Sequence, residues 1–411
     1  MARDGCRFCG TVLQHVFLDL GMSPMANSYL KPHQLNQMEP FYPLRAYVCE
    51  RCFLVQLEEF ESPDHIFSDY AYFSSYSDMF LQHAKDYADM VVERFGLNEQ
   101  SYVIEIASND GYLLQNFVKR GIPVLGIEPA KNVAEVAGKK GVPSLVKFFG
   151  TQTAREVTAE GRRPDLIIGN NVLAHVPDLN DFVGGLKILL GPRGVVTIEF
   201  PHLLQLMAHN QFDTIYHEHF SYFSLTTVER VFDSHGLTLF DVEEISTHGG
   251  SLRIYGRHHE DLSKPVSERF AALKRREEAQ GFTRLEHYLS FSERVVETKR
   301  ALLAFLIQAK RAGKSVVAYG AAAKASTLLN YCGIRTDFVD YMVDRSPYKQ
   351  GHFLPGTHIP IYDPDRIKET RPDYLLILAW NLKDEVMKQM SCIRDWGGQF
   401  IVPIPEMKLY S

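Results

Sequence analysis

Long apolar runs are missing from this chain. No stretch of about 18 or more consecutive apolar residues occurs, so no transmembrane helix is expected. The first residues, Met-Ala-Arg-Asp-Gly-Cys, lack the apolar core of a secretory leader. Basic charge is not in surplus either: 44 Lys and Arg stand against 50 Asp and Glu, a formal net charge of -6. Phosphate-backbone contact needs a basic excess, so a dedicated nucleic-acid binder is excluded and only a local anion site is left open. Cysteine is sparse, six in 411 residues, and four of the six fall into two CxxC pairs. That usage fits metal better than a disulfide framework and a reducing cytoplasm better than an export route. With 45% hydrophobic residues and so small a net charge, disorder is excluded as the dominant state. At roughly 100–200 residues per domain, the length implies two to four domains.

The organisation along the chain is a small loop-rich module followed by two α/β units. Residues 1–65 hold both CxxC pairs among turn residues and are too few to build much core alone. The aromatic stretch Phe67–Tyr76 is either a buried connector or a lid. A helix is expected over 79–96. Strands and helices then alternate: strand Val103–Ile106, helix Tyr112–Lys119, strand Val124–Ile127 and helix Lys131–Lys139. A weaker strand within Pro143–Phe149 follows, then strands Asp165–Ile168 and Val195–Ile198. This rhythm predicts a parallel sheet with helices on both faces. It closes on Leu237–Glu243 and Ser251–Arg257, which read as an antiparallel hairpin. Residues 264–312 are charged and helical with a break at Gly281. A second α/β unit has strands Ser315–Tyr319, Asp337–Val343 and Tyr374–Leu378, with a helix opening at Gly320-Ala-Ala-Ala-Lys324. The expected domains are 1–65, 66–258 and 259–411.

Cys6, Cys9, Cys49 and Cys52 supply four thiolates in two knuckles, a complete tetrahedral set with no open position. Structural zinc is expected, with iron–sulfur as the minor alternative. The turn after the first strand, Glu105-Ile-Ala107-Ser-Asn109-Asp-Gly111, has one glycine and an acid at the strand end. A dinucleotide pyrophosphate wants GxGxxG, so this turn suits a ligand without phosphates. Glu128, at the end of the next strand, suits a ribose diol, and S-adenosylmethionine has a ribose and no phosphate. Together with Asn170 after the fourth strand, these residues resemble class I S-adenosylmethionine-dependent methyltransferases, whose usual pattern is ExGxGxG. Here Ala107 and Asn109 occupy the first two glycine positions.

Tyr216-His217-Glu218-His219 places a phenol, two imidazoles and a carboxylate in four residues. A histidine there suits a general base and the tyrosine an oxyanion donor. A metal pair, His217 with His219, and a hydrogen-bonded core cluster are the bland competitors.

These motifs occur in order with His248-Gly-Gly-Ser-Leu-Arg253, Tyr319-Gly320-Ala-Ala-Ala-Lys324, Val343-Asp-Arg-Ser-Pro-Tyr-Lys349 and Ala379-Trp-Asn381. The whole set resembles the nucleotide-sugar C-methyltransferases that make branched deoxysugars, such as the dTDP-sugar C-3 methyltransferases of antibiotic pathways. The resemblance implies an N-terminal zinc module, a central class I methyltransferase (Rossmann-like) domain and a C-terminal Rossmann-like α/β domain. It implies His219 as base, Tyr216 and Glu218 as its assistants, and His175 with either Tyr70 or Tyr72 lining the site. His248, Arg253, Gly320, Lys324 and Lys349 are expected on the substrate side. The implied substrate is a nucleotide-linked keto-deoxysugar, dTDP-, GDP- or CDP-linked, methylated at C-3 through an enolate. A cytoplasmic monomer or weak homo-oligomer is expected, with no membrane or nucleic-acid partner. Two rivals stand beside this reading. One is a nonenzymatic zinc-ribbon interaction protein with a degenerate methyltransferase fold. The other is an NAD(P)-dependent sugar-nucleotide enzyme, suggested by Gly320–Lys324 followed by Asp344.

Overall fold

The computed structural model describes residues 5–61, 75, 78–161 and 163–411; Tyr70 and Tyr72 fall outside them, as does all of Phe67–Tyr76 except Ser75. Among the described residues the strands form three sheets. The central sheet has seven strands in the order Leu237–Ile245, Ser251–His258, Val195–Pro201, Leu166–Asn170, Val103–Ile106, Val124–Ile127, Ser144–Leu145. The last five run parallel. The hairpin Leu237–Ile245/Ser251–His258 joins the edge antiparallel, through its second strand on Val195–Pro201. This is the class I methyltransferase arrangement. All four residues of Val103–Ile106 are buried, as a strand covered on both faces requires.

The six-stranded C-terminal sheet runs Ile361–Tyr362, Met342–Val343, Val316–Tyr319, Tyr374–Ile377, Gln399–Val402, Lys408–Tyr410. Only its last pairing is antiparallel. Two expected elements are shorter than their sequence pattern. The strand expected over Asp337–Val343 is confined to Met342–Val343, because Phe338 and Val339 both donate to the Arg335 carbonyl in a turn. The helix expected from Tyr112 is regular only over Gln115–Val118, since Asn116 and Phe117 make three-residue bonds to Leu113 and Leu114.

The third sheet joins distant parts of the chain. His15–Ser23, Tyr42–Val48 and Val55–Leu57 pair in sequence, and the fourth strand is Ser221–Tyr222. The strand after the Tyr216–His219 cluster is therefore hydrogen-bonded into the sheet that carries the cysteine knuckles. That sheet lies on the helices Leu285–Leu289 and Phe291–Arg311: Phe17 stacks on Phe291 at 5.1 Å and Phe53 on Tyr288 at 5.7 Å between ring centroids. The long helix buries Val295, Leu302, Leu306 and Ala309 on one stripe. Its apolar spacing is thus satisfied by packing on the N-terminal sheet and its neighbours.

One buried carboxylate ties the layers together. Glu277, on the helix Glu268–Gln280, accepts from the Leu225 and Thr226 amides at 2.8 and 2.7 Å, from the Thr226 hydroxyl at 2.7 Å, and pairs with His202 at 2.8 Å. The amides are the open donors of the helix Leu225–Ser234, where negative charge is favoured. Burial pushes the Glu277 pKa up, but the bonds from His202 and Thr226 outweigh it and hold it below the ordinary value. Glu277→Ala should cost about 3–5 kcal/mol, as breaking a buried pair does, measured by urea unfolding at pH 7. Because the folded pKa is depressed, this stabilisation is present above the unfolded pKa of about 4.3. It is lost as pH falls through the folded value, so wild type and variant should converge in acid. A loss under about 1 kcal/mol at pH 7 would make the network redundant.

Candidate active site

The four thiols converge. Cys6 and Cys52 Sγ are 3.5 Å apart, as are Cys9 and Cys49 Sγ, and all four lie within 4.8 Å of one another. Bonds of about 2.3 Å to a tetrahedral zinc put sulfurs about 3.8 Å apart, so the cluster has the size of a four-thiolate zinc site. Each knuckle turns back through a left-handed residue, Gly10 after the first and Phe53 after the second. The knuckle bonds Gly10 N–H to Cys6 C=O and Phe53 N–H to Cys49 C=O point both turns at one centre.

At the carboxyl edge of the central sheet the turn after Val103–Ile106 takes the path that glycines would take. Ala107 and Asn109 have φ of 56° and 49°. Gly111, at φ 74°, favours glycine by its backbone, and a Cβ would stand a tight 3.1–3.2 Å from Val142 and Ala137. The two substitutions in the glycine pattern therefore leave the backbone in the left-handed region. Glu128 holds this turn: it accepts from the Asn109 and Ala130 amides, both at 2.9 Å. Burial raises its pKa against those two bonds. Glu105 is 1% exposed, and burial with Glu128, Asp110 and Glu199 nearby drives its pKa well up. Among the described residues Glu105 Oε2, Asp110 Oδ1 and Asn170 Oδ1 are buried without a hydrogen-bond partner. Acceptors without donors, and no phosphate cradle, fit a ligand that brings an ammonium, a sulfonium and ribose hydroxyls.

The histidines sit beyond this edge. His175 and His219 face each other at 4.7 Å between ring centroids, and the Tyr216 ring lies 4.1 Å from His219. His175 Nδ1 is 2.8 Å from the Glu218 carbonyl and His219 Nδ1 is 3.1 Å from the Thr214 carbonyl. A carbonyl only accepts, so each Nδ1 carries the proton and each Nε2 the lone pair. Burial lowers the His175 pKa to about 4 and pulls His219 well below its usual range, His175 adding to the latter. Both rings are neutral at pH 7. His217 points elsewhere, its Nε2 3.2 Å from the Pro43 carbonyl and its ring against Tyr42 and Phe60. The two histidines of the cluster therefore do not chelate together. Glu218 accepts from Asn27 at 2.8 Å, and burial raises its pKa against that bond.

The C-terminal sheet forms the opposite rim. Burial lowers the Lys324 pKa to about 8, with Asp213 opposing the shift; Lys324 bonds to Asn381 and lies 4.3 Å over the Trp380 ring. The Trp380 indole donates to Asp213 at 2.8 Å, and burial lifts that carboxyl to about 7. His248, pushed to about 4 by burial and by Lys324, adopts φ 55°. At the Gly320 turn the amides of Gly320 and Ala321 are taken by the Val343 carbonyl and Asp344. The Ala321 carbonyl accepts from Tyr29 at 2.6 Å. Lys349 stands 3.4 Å from Asp344. Arg253 is 5% exposed and grips Glu199 and Glu243 while covering the Tyr87 ring, an arrangement that suits a strut between strands better than a substrate contact. His83 joins it on Glu199 at 3.0 Å. Sequence reading missed Asn27, Tyr29, His83, Glu199 and Asp213. Their partners lie 54 to 292 residues away in the chain, so no local spacing announces them.

Three family models cover this architecture in order: a zinc binding domain over residues 6–67, a methyltransferase domain over 80–242 and a C-methyltransferase C-terminal domain over 246–405. The C-methyltransferase NovU of Streptomyces niveus is 36% identical over 99% of this chain and 97% of its own. The chain belongs to the C-methyltransferase family. It is an S-adenosylmethionine-dependent C-methyltransferase with a four-cysteine zinc-binding module. Other relatives match a shorter part of the chain. The ubiquinone biosynthesis O-methyltransferase of Bartonella tribocorum is 26% identical over 23% of this chain and 39% of its own. The solved magnesium protoporphyrin IX methyltransferase of Synechocystis PCC 6803 aligns with 43% of this chain and 78% of its own at 14% identity and a TM-score of 0.33. No helix among the described residues is long and apolar enough to cross a membrane.

Elemental analysis of this C-methyltransferase should find about one zinc per chain, and Cys49→Ser should lose it. Because metal binding is folding free energy in such modules, chelation should unfold the N-terminal sheet. A metal-free protein with that sheet intact would overturn the assignment. Glu128→Ala removes a buried charged acceptor that also holds the 107–111 turn. Calorimetry with S-adenosylhomocysteine should show affinity reduced by about 1.5–3 kcal/mol, and unchanged affinity would move the cofactor elsewhere.

Proposed function

We propose that this C-methyltransferase acts on a nucleotide-linked keto-deoxysugar, methylating C-3 through an enolate formed by His219. The observation that carries this reading is the neutral His219, its Nδ1–H turned to the Thr214 carbonyl, beside Tyr216 and His175. A sugar carbon is no nucleophile until a neighbouring ketone makes its proton acidic. His219 Nε2 takes that proton, and Tyr216 or His175 supports the developing enolate oxygen. Burial makes the imidazolium costly alone, but it arises together with the enolate charge, and each stabilises the other in a dry site. S-adenosylmethionine, when bound, supplies a methyl made electrophilic by a positive sulfur. Glu105, Ala107, Asn109, Gly111, Glu128 and Asn170 would hold it at the carboxyl edge of the central sheet. Glu218, fixed by Asn27, keeps the loop shape and presents its carbonyl to His175.

The C-terminal rim takes the nucleotide. Lys324 and Lys349 give it donors and positive charge and the neutral His248 a polar ring, and Lys324 remains mostly protonated at pH 7 with its pKa near 8. Gly320 shapes the turn, and Arg253 acts through Glu199. The family's reaction in a reducing cytoplasm, on a soluble nucleotide sugar and without a membrane or nucleic-acid partner, is the setting this reading implies. Neither rival is favoured. The Gly320 turn has its first amides occupied, which is poor for a dinucleotide, and the titratable cluster is too elaborate for a binding relic.

His219→Asn should lower turnover of a nucleotide keto-sugar by about 10²–10⁴. S-adenosylhomocysteine affinity should survive. Without cofactor, solvent deuterium should enter the carbon beside the ketone in wild type and not in the variant. Since the folded His219 pKa is depressed, the basic form persists on acidification, and the acid limb of turnover should lie below the free imidazole value of about 6.5. A His219 variant with wild-type turnover would pass the role to His175.

A further inference from the structure

The first cysteine knuckle contains a buried cation whose contacts lead away from the thiols. Arg7, between Cys6 and Cys9, is 7% exposed. Its Nη1 donates to the Pro177 carbonyl at 2.8 Å and its Nη2 to the Leu57 carbonyl at 2.5 Å. The guanidinium also stands 5.3 Å from the centre of the Phe220 ring. Pro177 ends the short loop that carries His175. Leu57 ends the strand that pairs with Ser221–Tyr222, and its own amide donates to the Phe220 carbonyl, next to His219. The Arg7 amide is fixed in turn by Gln56 Oε1 at 2.9 Å, while Gln56 Nε2 donates to Cys6 Sγ at 3.2 Å. A second strut runs beside it: Asn180 donates to the Phe8 carbonyl at 2.9 Å.

One planar fork therefore holds both chain segments that deliver the facing histidines. Resting its consequence for turnover on the catalytic reading above, we propose that Arg7 is a positioning residue that sets His175 and His219 against each other. The two carbonyls diverge from one guanidinium, which a lysine ammonium on a flexible stem would not hold at once. The knuckle thereby gains a duty beyond folding: it fixes the tautomers and separation of the two rings. Charge balance against the thiolates is the competing role, and a lysine would meet it.

The test uses the full-length zinc-loaded protein labelled with ¹⁵N in its histidine rings, with His175→Gln and His219→Asn assigning the signals. Wild type should show one Nδ1–H tautomer for each ring. Arg7→Met should keep about one zinc per chain and its S-adenosylhomocysteine affinity, yet show averaged tautomers at both rings. Arg7→Lys should fall between the two, and it carries the test if the methionine variant does not fold. On a nucleotide keto-sugar that the wild type methylates, kcat should fall at least about tenfold with KM within about threefold, because misplacement of about 1 Å from a remote change costs up to 10²-fold. Ring signals unchanged in Arg7→Met, signals in Arg7→Lys identical to wild type, or changes that accompany zinc loss would each overturn the proposal. Wild-type turnover by His219→Asn would instead remove the base assignment, while the ring signals still decide whether Arg7 positions the pair.

Discussion

The segment from Gln211 to Tyr222 is held on three sides, and the geometry of the site depends on that restraint. Its exit, Ser221–Tyr222, is the fourth strand of the N-terminal sheet. Its entry is held from the C-terminal side, where the Trp380 indole donates to Asp213 and the Thr327 hydroxyl donates to the Ile215 carbonyl at 3.0 Å. The hairpin end supplies the third hold, through Gln211 on the Gly249 carbonyl at 2.7 Å. Gly249 must be glycine here, since a Cβ would come within 2.6 Å of the Trp380 ring. A short irregular segment has little conformational preference of its own. Backbone pairing on one side and side-chain hydrogen bonds on the other two supply the order that a helix or a long strand would otherwise give.

The second constraint is charge. The carboxyl edge collects Glu105, Asp110, Glu128 and Glu199, all buried. Isolated carboxylates there would be costly, and each is treated differently. Glu199 has Arg253 and His83, and its pKa stays below the ordinary value although burial opposes this. Asp110 has Lys140 at 3.1 Å, and Glu128 has two backbone amides. Glu105 has one oxygen without a partner among the described residues. The uncompensated carboxyl lies beside the 107–111 turn, where its raised pKa keeps it neutral until a cationic cofactor favours its ionised form.

Much of this was legible in the chain. The βαβ rhythm from Val103 to Ile198 and its closing hairpin are local patterns, and buried parallel strands announce themselves as apolar runs. The cysteine pairs declare their chemistry by spacing alone. Ala107 and Asn109 were harder: residue type does not reveal that both adopt the left-handed backbone, in a turn that Glu128 holds at the Asn109 amide. Asp337–Val343 read as a full strand because its apolar residues suit one, yet the Arg335 turn competes for the same amides. The joining of Ser221–Tyr222 to the N-terminal sheet left no trace in the sequence. A two-residue strand has too little period to read, and its partner, Val55–Leu57, is over 160 residues earlier.

The orientation of the histidines has a physical logic of its own. His175 and His219 each turn their Nδ1–H to a backbone carbonyl. A carboxylate partner would raise the imidazole pKa and favour the charged ring, whereas a carbonyl fixes the tautomer with a weaker pull. Desolvation dominates in keeping both rings neutral, and their 4.7 Å separation adds to it. Two imidazolium ions at that spacing would repel strongly in a dry site, so protonation of one ring opposes protonation of the other. Beyond the Nδ1 proton that each ring carries, protonation of the pair is therefore favoured at one ring only. Because the orienting carbonyls belong to Glu218 and Thr214, in the restrained segment itself, the backbone that fixes the loop also selects the nitrogen that carries the lone pair.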